Sequence, residues 1–257
     1  MILPGLSIPF AGTLLGAAAV FLLRREMAPA AQKAMSGFAA GVMTAAAVWS
    51  LLLPSIAMSQ QGALPEWIPA AAGFAAGMAF LLLLDSLVPH LHLHSDRAEG
   101  IAVRLTRSTK LALAVTLHNI PEGMAVGVVL AGAMSGRTEI TAASALALSF
   151  GIAVQNIPEG AVISIPMQNG GIGKVRAFAW GALSGAVEPV AGIVTILLAD
   201  TLTPVLPWLL AFAAGAMLYV VVEELIPESQ NGRHSDAGTV GFAAGFLLMM
   251  ILDVATG

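Results

Sequence analysis

Eight runs of at least 18 mostly apolar residues constrain this sequence of 257 residues more than any other feature. A helix needs about 20 apolar residues to cross the roughly 30 Å hydrocarbon core of a bilayer, so each run is long enough to span it. We therefore predict an all-α integral membrane protein with eight transmembrane helices in a single domain, residues 1–257. The runs cover approximately residues 6–23, 35–58, 69–90, 111–134, 142–167, 177–199, 207–227 and 237–254.

Composition supports the membrane interpretation. The chain is 58% hydrophobic and only 10% charged, which lies outside the range of soluble globular proteins. A transmembrane β-barrel would need a polar residue at every second position of its strands, and uninterrupted apolar stretches such as Phe80–Leu84 do not provide them. Helices are therefore the predicted spanning elements.

The basic residues predict the orientation of the chain. Ten of the 11 Lys and Arg residues fall in the first, third, fifth and seventh connections, and only Arg137 falls in an even one. By the positive-inside rule, the odd connections are cytoplasmic and both termini lie outside the cytoplasm. The first run has its Arg24 and Arg25 after the apolar stretch, which is the reverse of a cleavable signal peptide. We expect a multi-pass protein of the cell (inner) membrane.

Three carboxylates lie near the middle of apolar runs. Glu122, Glu159 and Glu188 fall in the fourth, fifth and sixth runs, and none of these runs contains a Lys or Arg that could neutralise them. A carboxylate at the bilayer centre costs roughly 2.5 to 3.5 kcal/mol on insertion scales. These side chains must therefore be protonated, share a bound cation, or line water.

Two nearly identical motifs surround the first two of these acids and favour the cation. The motifs are LHNIPEG at 117–123 and VQNIPEG at 154–160. Residues four apart share a helix face, so His118 lies beside Glu122, and Gln155 beside Glu159. The proline in each motif removes one backbone N–H and frees a carbonyl near the polar side chains. Consecutive spans run in opposite directions, so the two motifs form an inverted repeat of the kind found around transporter sites.

The donor set narrows the candidate ions. The sequence contains no cysteine, so a site in these runs offers nitrogen and oxygen ligands without a thiolate. Imidazole together with carboxylate suits zinc, iron(II), manganese or cadmium better than sodium, potassium or calcium. The sequence therefore predicts a site for a divalent transition-metal cation near the membrane midplane.

The paired motifs, the Glu188-Pro189 step, the eight runs and the external termini together resemble the Zrt/Irt-like (ZIP) divalent-metal transporters, particularly their bacterial branch. The resemblance implies a 3+2+3 helix arrangement with inverted repeats and uptake of zinc into the cytoplasm. It implies alternating access, with the first, fourth, fifth and sixth helices moving like an elevator. Zn²⁺ would be the substrate, with Cd²⁺, Fe²⁺ and Mn²⁺ as further candidates. We also expect a homodimer, no organic cofactor, no nucleic-acid partner and no enzymatic activity.

Carried over position by position, the resemblance implies two adjacent ion sites in which Glu122 and Glu159 bridge. This chain departs from many members by having Gln155 where they carry His, and from some by having Asn156 where they carry Asp. Three carboxylates facing two divalent ions leave a net charge of +1, which favours single over double occupancy. The implied ligands are His118, Glu122, Gln155 and Glu159 with Met43 nearby for the first ion, and Asn119, Glu122, Asn156, Glu159 and Glu188 for the second.

Further polar residues suggest an entrance and an exit. The stretch PHLHLHSD begins a cytoplasmic loop, approximately 91–110, that would accept ions leaving the inner mouth or sense cytoplasmic metal. The alternative is a solvated loop, with the nearby acids capping helices or pairing with Arg104 or Arg107. The predicted exit residues are Asp85, His90, His92, His94, Glu223 and Glu224, and the predicted entrance residues are Ser50 and Asp253.

Other functions and other uses of the small residues stay open at this stage. A proton-coupled carrier of an organic solute could use the same buried carboxylates. An intramembrane metalloprotease would need a second His four residues from the first, and the residue at that distance after His118 is Glu122. The similar phrases GFAAG at 37–41, 73–77 and 241–245 could be sliding faces, static packing or a dimer seam.

Overall fold

Eight long helices make up the protein in the computed structural model, which describes residues 1–22, 28–60, 64–88, 107–136, 140–201, 205–232 and 235–256. These residues contain no β-strand, so the all-α prediction is confirmed. In chain order the helices are α1 Ile2–Leu22, α2 Pro29–Ser59, α3 Trp67–Leu87, α4 Arg107–Ser135, α5 Ala142–Asn169, α6 in two segments Lys174–Gly185 and Val187–Thr201, α7 Leu206–Gln230, and α8 Ala237–Thr256.

Within the residues that the structure describes, seven of the eight helices are long and apolar enough to cross a membrane. The remaining one, α4, has 29 residues, well above the roughly 20 that a span requires. It carries the polar residues of the first motif near its middle.

The helices pack in four main pairs, α1 with α5, α4 with α6, α2 with α8, and α3 with α7. The pairing is unchanged when α1, α2 and α3 are exchanged with α6, α7 and α8, in that order, and α4 is exchanged with α5. The α1–α5 pair then becomes the α6–α4 pair, and the α2–α8 pair becomes the α7–α3 pair. The pairing thus has the symmetry of two inverted repeats of three helices around a central pair. This agrees with the predicted 3+2+3 arrangement.

Glycines allow the backbones of α2 and α8, and of α3 and α7, to approach closely. In both pairs a glycine of each helix lies against the carbonyl oxygen of a phenylalanine in the other, where a side chain would collide with backbone. The GFAAG phrases therefore pack helices of one chain against each other. We assign none of these contacts to the interface of the predicted homodimer. These contacts are Gly41 with Phe242, Gly245 with Phe38, Gly77 with Phe212, and Gly215 with Phe74.

Two helices widen into π-helix before a proline. In α2 the π segment Ala47–Leu52 precedes Pro54, and in α7 the π segment Val221–Leu225 precedes Pro227. A proline ring crowds the carbonyl four residues earlier, and a wider turn relieves this crowding. The two segments occupy corresponding places in the two repeats, and the sequence analysis did not predict them.

The remaining prolines act differently. Helix α6 is interrupted at Ala186, immediately before Glu188 and Pro189, so Glu188 lies in the first turn of its second segment. By contrast, α4 and α5 continue as helices through Pro121 and Pro158. The interruption in α6 exposes backbone groups within the membrane that side chains of α4 can reach.

Candidate metal centre

The seven polar residues predicted from the fourth to sixth runs are all buried. Each is at most 8% exposed, and Asn119, Glu122, Gln155 and Asn156 are completely enclosed. Burial of this many polar groups inside a helical membrane protein requires partners, because an unpaired polar group in such surroundings is costly. The contacts of these residues therefore indicate what the centre can hold.

Glu122 of α4 makes a polar contact with α5. The Nε2 of Gln155 donates a hydrogen bond of 2.5 Å to Oε1 of Glu122. Glu122 also interacts electrostatically with Glu159 and Glu188. Glu122 of α4 is therefore near both other buried carboxylates of these runs, Glu159 of α5 and Glu188 of α6.

Glu188 is held by hydrogen bonds at both carboxylate oxygens. Its Oε1 accepts from Oγ1 of Thr13 at 3.0 Å, and its Oε2 accepts from Nδ2 of Asn156 at 2.8 Å. Because Glu188 lies at the beginning of a helical segment, the nearby backbone dipoles also favour its negative charge. These contacts connect α1, α5 and α6.

The first motif reaches both the interruption in α6 and the π segment of α7. The Nδ2 of Asn119 donates to the carbonyl oxygen of Ser184, at 2.9 Å, just before the interruption. The neighbouring His118 forms an ion pair with Glu224 through its Nε2. A predicted exit residue is therefore in direct contact with a predicted ion ligand.

Five buried oxygen atoms of the cluster accept no hydrogen bond within the described part of the chain. Buried hydrogen-bond acceptors in folded proteins nearly always have a donor, so five unsatisfied acceptors in one cluster require a physical explanation. All five are carboxylate or amide oxygens, which are ligands for hard and borderline divalent cations. They are Oδ1 of Asn119, Oε2 of Glu122, Oε1 of Gln155, Oδ1 of Asn156 and Oε2 of Glu159.

Hydrogen bonds between amides and carboxylates arrange the polar side chains of this cluster, and its acids do not converge on a common point. Among the described residues, no three side chains of His, Asp or Glu are grouped so that they could hold a metal ion by themselves. The amide N–H groups of Gln155 and Asn156 instead point at the carboxylates of Glu122 and Glu188. Ion ligation by these residues therefore requires the amides to turn their oxygens inward.

The predicted entrance residues are in contact with each other. The Oγ of Ser50, in the π segment of α2, donates to Oδ1 of Asp253 on α8 at 2.5 Å, and both residues are buried. In the symmetry-related helix pair, Asp85 of α3 is partly exposed and hydrogen-bonds Tyr219 of α7. Polar pairs thus join α2 to α8 and α3 to α7 in addition to the polar contacts around Glu122 and Glu188.

The other predicted residues are less directly connected. Met43 is completely buried within the main apolar core, so its role as a soft neighbour of the ion stays a prediction. Glu223 is exposed, while its neighbour Glu224 contacts the cluster. The histidines His90, His92 and His94 lie outside the described residues.

Sequence reasoning missed two residues. Glu228 of α7 interacts electrostatically with Glu159, and the segment Glu224–Glu228, ELIPE, repeats the spacing of HNIPE and QNIPE. That third copy was a usable signal. Thr13, which donates a hydrogen bond to Glu188, is one of two hydroxyl residues in an apolar run and gave no signal.

Comparison with known proteins decides the family. A sequence model of the ZIP zinc transporters matches residues 90–253, which include both motifs and Glu188. The chain belongs to the ZIP family. Among ZIP relatives, zinc transporter ZIPB of Bordetella bronchiseptica is 38% identical over 251 residues, covering 96% of this chain and 79% of the relative.

Two further ZIP proteins align over most of their lengths. Zinc transporter GufA of Myxococcus xanthus is 36% identical over 251 residues, covering 96% of both chains. Zinc transporter ZIP11 of Homo sapiens is 36% identical over 300 residues, covering 86% of this chain and 87% of the relative. The predicted membership of a family with bacterial zinc transporters is therefore confirmed, and the protein is a multi-pass membrane protein of a metal-transport family.

Proposed function

We propose that this ZIP protein moves zinc into the cytoplasm through the cluster on α4, α5 and α6, and that iron, cadmium or manganese are alternative substrates of the same pathway. The observation that carries the proposal is the set of five buried oxygens without a hydrogen-bond donor. A divalent cation would satisfy these oxygens and offset the charge of Glu122, Glu159 and Glu188. The relatives named zinc transporters support zinc as the substrate.

Ion binding would exchange the amide hydrogen bonds for metal–oxygen bonds. Gln155 donates N–H to Glu122 in the structure, and a half-turn of its amide would present Oε1 to an ion while releasing the carboxylate. We infer that the first ion lies between His118, Glu122, Gln155 and Glu159. Three carboxylates facing two divalent ions would leave a net charge of +1, so the second position fills after the first.

Alternating access by an elevator-like movement is supported by where the close backbone contacts lie. We assign α1, α4, α5 and α6 to the moving body and α2, α3, α7 and α8 to the scaffold. Among the described glycines, those that lie against the backbone of another helix do so within one body. The glycine contact between bodies is Gly151 of α5 against the side chains of Met249 and Val42. Flexible side chains permit sliding where interlocked backbones would resist it.

The inverted repeat relates the proposed entrance to the proposed exit. Asp85 and Asp253 each follow the last glycine of a GFAAG phrase, Gly77 and Gly245, by eight residues. Equivalent residues of inverted repeats lie toward opposite sides of the membrane. With both termini outside the cytoplasm, Asp253 and Ser50 would receive ions from outside, and Asp85 would release them inside with Glu223 and Glu224. His90, His92 and His94 would then meet the released ions.

Purified protein in vesicles loaded with a zinc-sensitive dye tests the function. We expect zinc influx well above that of protein-free vesicles, and faster influx when the interior is made negative. The ion carries two charges, each of which gains about 2.3 kcal/mol per 100 mV. Intact, folded protein that binds zinc without influx would contradict transport. Proton influx driven by an organic solute, with no zinc influx, would favour the proton-coupled carrier.

A further inference from the structure

The helix α1 supplies no ligand to the proposed ion sites, yet it contacts Glu188 directly. We propose that Thr13 of α1 is a positioning residue that fixes the carboxylate of Glu188 for the second ion. This inference rests on the proposed function, because it concerns the same centre. Its basis is the 3.0 Å hydrogen bond from Oγ1 of Thr13 to Oε1 of Glu188.

Packing fixes the position of Thr13 itself. The residue is fully buried, with glycines on two neighbouring helices beside it. A side chain at Gly185 of α6 would come within 2.7 Å of Cβ and 2.8 Å of Oγ1 of Thr13, and one at Gly160 of α5 would meet its carbonyl oxygen. Two glycines therefore let Thr13 approach both ligand helices at the level of the cluster.

The second oxygen of Glu188 is also held from α1, but indirectly. Nδ2 of Asn156 donates to Oε2 of Glu188 at 2.8 Å and lies 3.3 Å from the carbonyl oxygen of Pro9. Thr13 and Pro9 are four residues apart, so they lie on one face of α1. That face therefore orients the Glu188 carboxylate, once through a hydroxyl and once through the Asn156 amide.

The hydrogen bonds to both oxygens of Glu188 orient its carboxylate without preventing it from binding a cation. Each carboxylate oxygen has two lone pairs, so a hydrogen bond at each leaves a lone pair for a cation. Glu188 interacts electrostatically with Glu159, which belongs to both proposed ion positions. Orienting groups behind a ligand commonly change metal affinity by 10–100-fold when they are removed. If Asn156 turns its amide toward an ion, Thr13 becomes the donor that still restrains Glu188.

The test compares Thr13→Val with Thr13→Ser in the vesicle assay, each alone and combined with Glu188→Gln. Thr13→Val should raise the KM for zinc about 10-fold while Vmax falls much less, and Thr13→Ser should restore KM to within about twofold. In the Glu188→Gln background, Thr13→Val should change KM by less than about twofold, because the group it positions is gone. If Thr13→Val does not fold, Thr13→Ala gives the same comparison.

Two outcomes would overturn the inference. One is an unchanged KM in Thr13→Val, and the other is an equal rise in KM with and without Glu188→Gln, which would indicate a general packing defect. Either result, obtained with wild-type protein that transports zinc, leaves the proposed function standing. Absence of zinc influx in the wild type would instead contradict the proposed function, and zinc binding by equilibrium dialysis would then decide the Thr13 inference on the same variants.

Discussion

Glu122→Gln is expected to reduce zinc influx by at least about 100-fold, and Glu159→Gln to do the same. Both carboxylates are buried, each has an oxygen without a hydrogen-bond donor, and both are proposed to contact either ion. Loss of an orienting group alone costs 10–100-fold in metal affinity, so loss of a charged ligand costs at least as much. Initial rates of zinc influx into dye-loaded vesicles measure the effect.

The shape of the side chain is nearly unchanged in these variants, so the fold should survive. Removing a buried carboxylate from the ion-free protein also removes a desolvation cost, so the melting temperature should be unchanged or higher. Glu66→Gln is the matched control, because Glu66 is exposed at the beginning of α3. This variant should transport zinc at the wild-type rate. Normal influx in Glu122→Gln would remove this carboxylate from the proposed pathway.

Cross-linking the two bodies is expected to stop transport completely. Gly151 of α5 and Met249 of α8 are in contact across the proposed sliding surface, and the sequence contains no cysteine. In the variant Gly151→Cys/Met249→Cys, oxidation by a small uncharged reagent such as iodine should form a disulfide. Zinc influx should fall to the level of protein-free vesicles and return on reduction, because a covalent bond prevents the bodies from sliding.

A cross-link inside one body serves as the control. Ala17 of α1 and Gly181 of α6 both belong to the proposed moving body, and a Cβ on Gly181 would lie 2.8 Å from Cβ of Ala17. Oxidation of Ala17→Cys/Gly181→Cys should leave influx unchanged once the two backbones relax to disulfide distance. Full transport by the oxidised 151–249 pair would contradict an elevator movement across this contact.

The sequence was sufficient for the helices and for the polar cluster, for identifiable reasons. Apolar runs of the right length fix spanning helices because the bilayer leaves few alternatives. The i, i+4 spacing in both motifs predicts a shared face for His118 with Glu122 and for Gln155 with Glu159. The cost of a buried acid singled out Glu188, which the structure brings to the same cluster.

The sequence was not sufficient for contacts that depend on how helices rotate and pair. The ion pair between His118 and Glu224 joins residues 106 positions apart, and no local pattern encodes it. Thr13 reaches Glu188 because two glycines on other helices let α1 approach. The π segments depend on how a helix relieves crowding before Pro54 and Pro227, whereas α4 and α5 accommodate their prolines without a break.

Anomalous X-ray scattering at the zinc edge, from crystals grown with zinc, tests most directly whether the buried acids share a cation. We predict a peak within bonding distance, about 2.0 to 2.2 Å, of carboxylate oxygens of Glu122 and Glu159, with the amide oxygen of Gln155 turned toward it. A zinc-bound protein whose peaks all lie away from these two carboxylates would contradict the account.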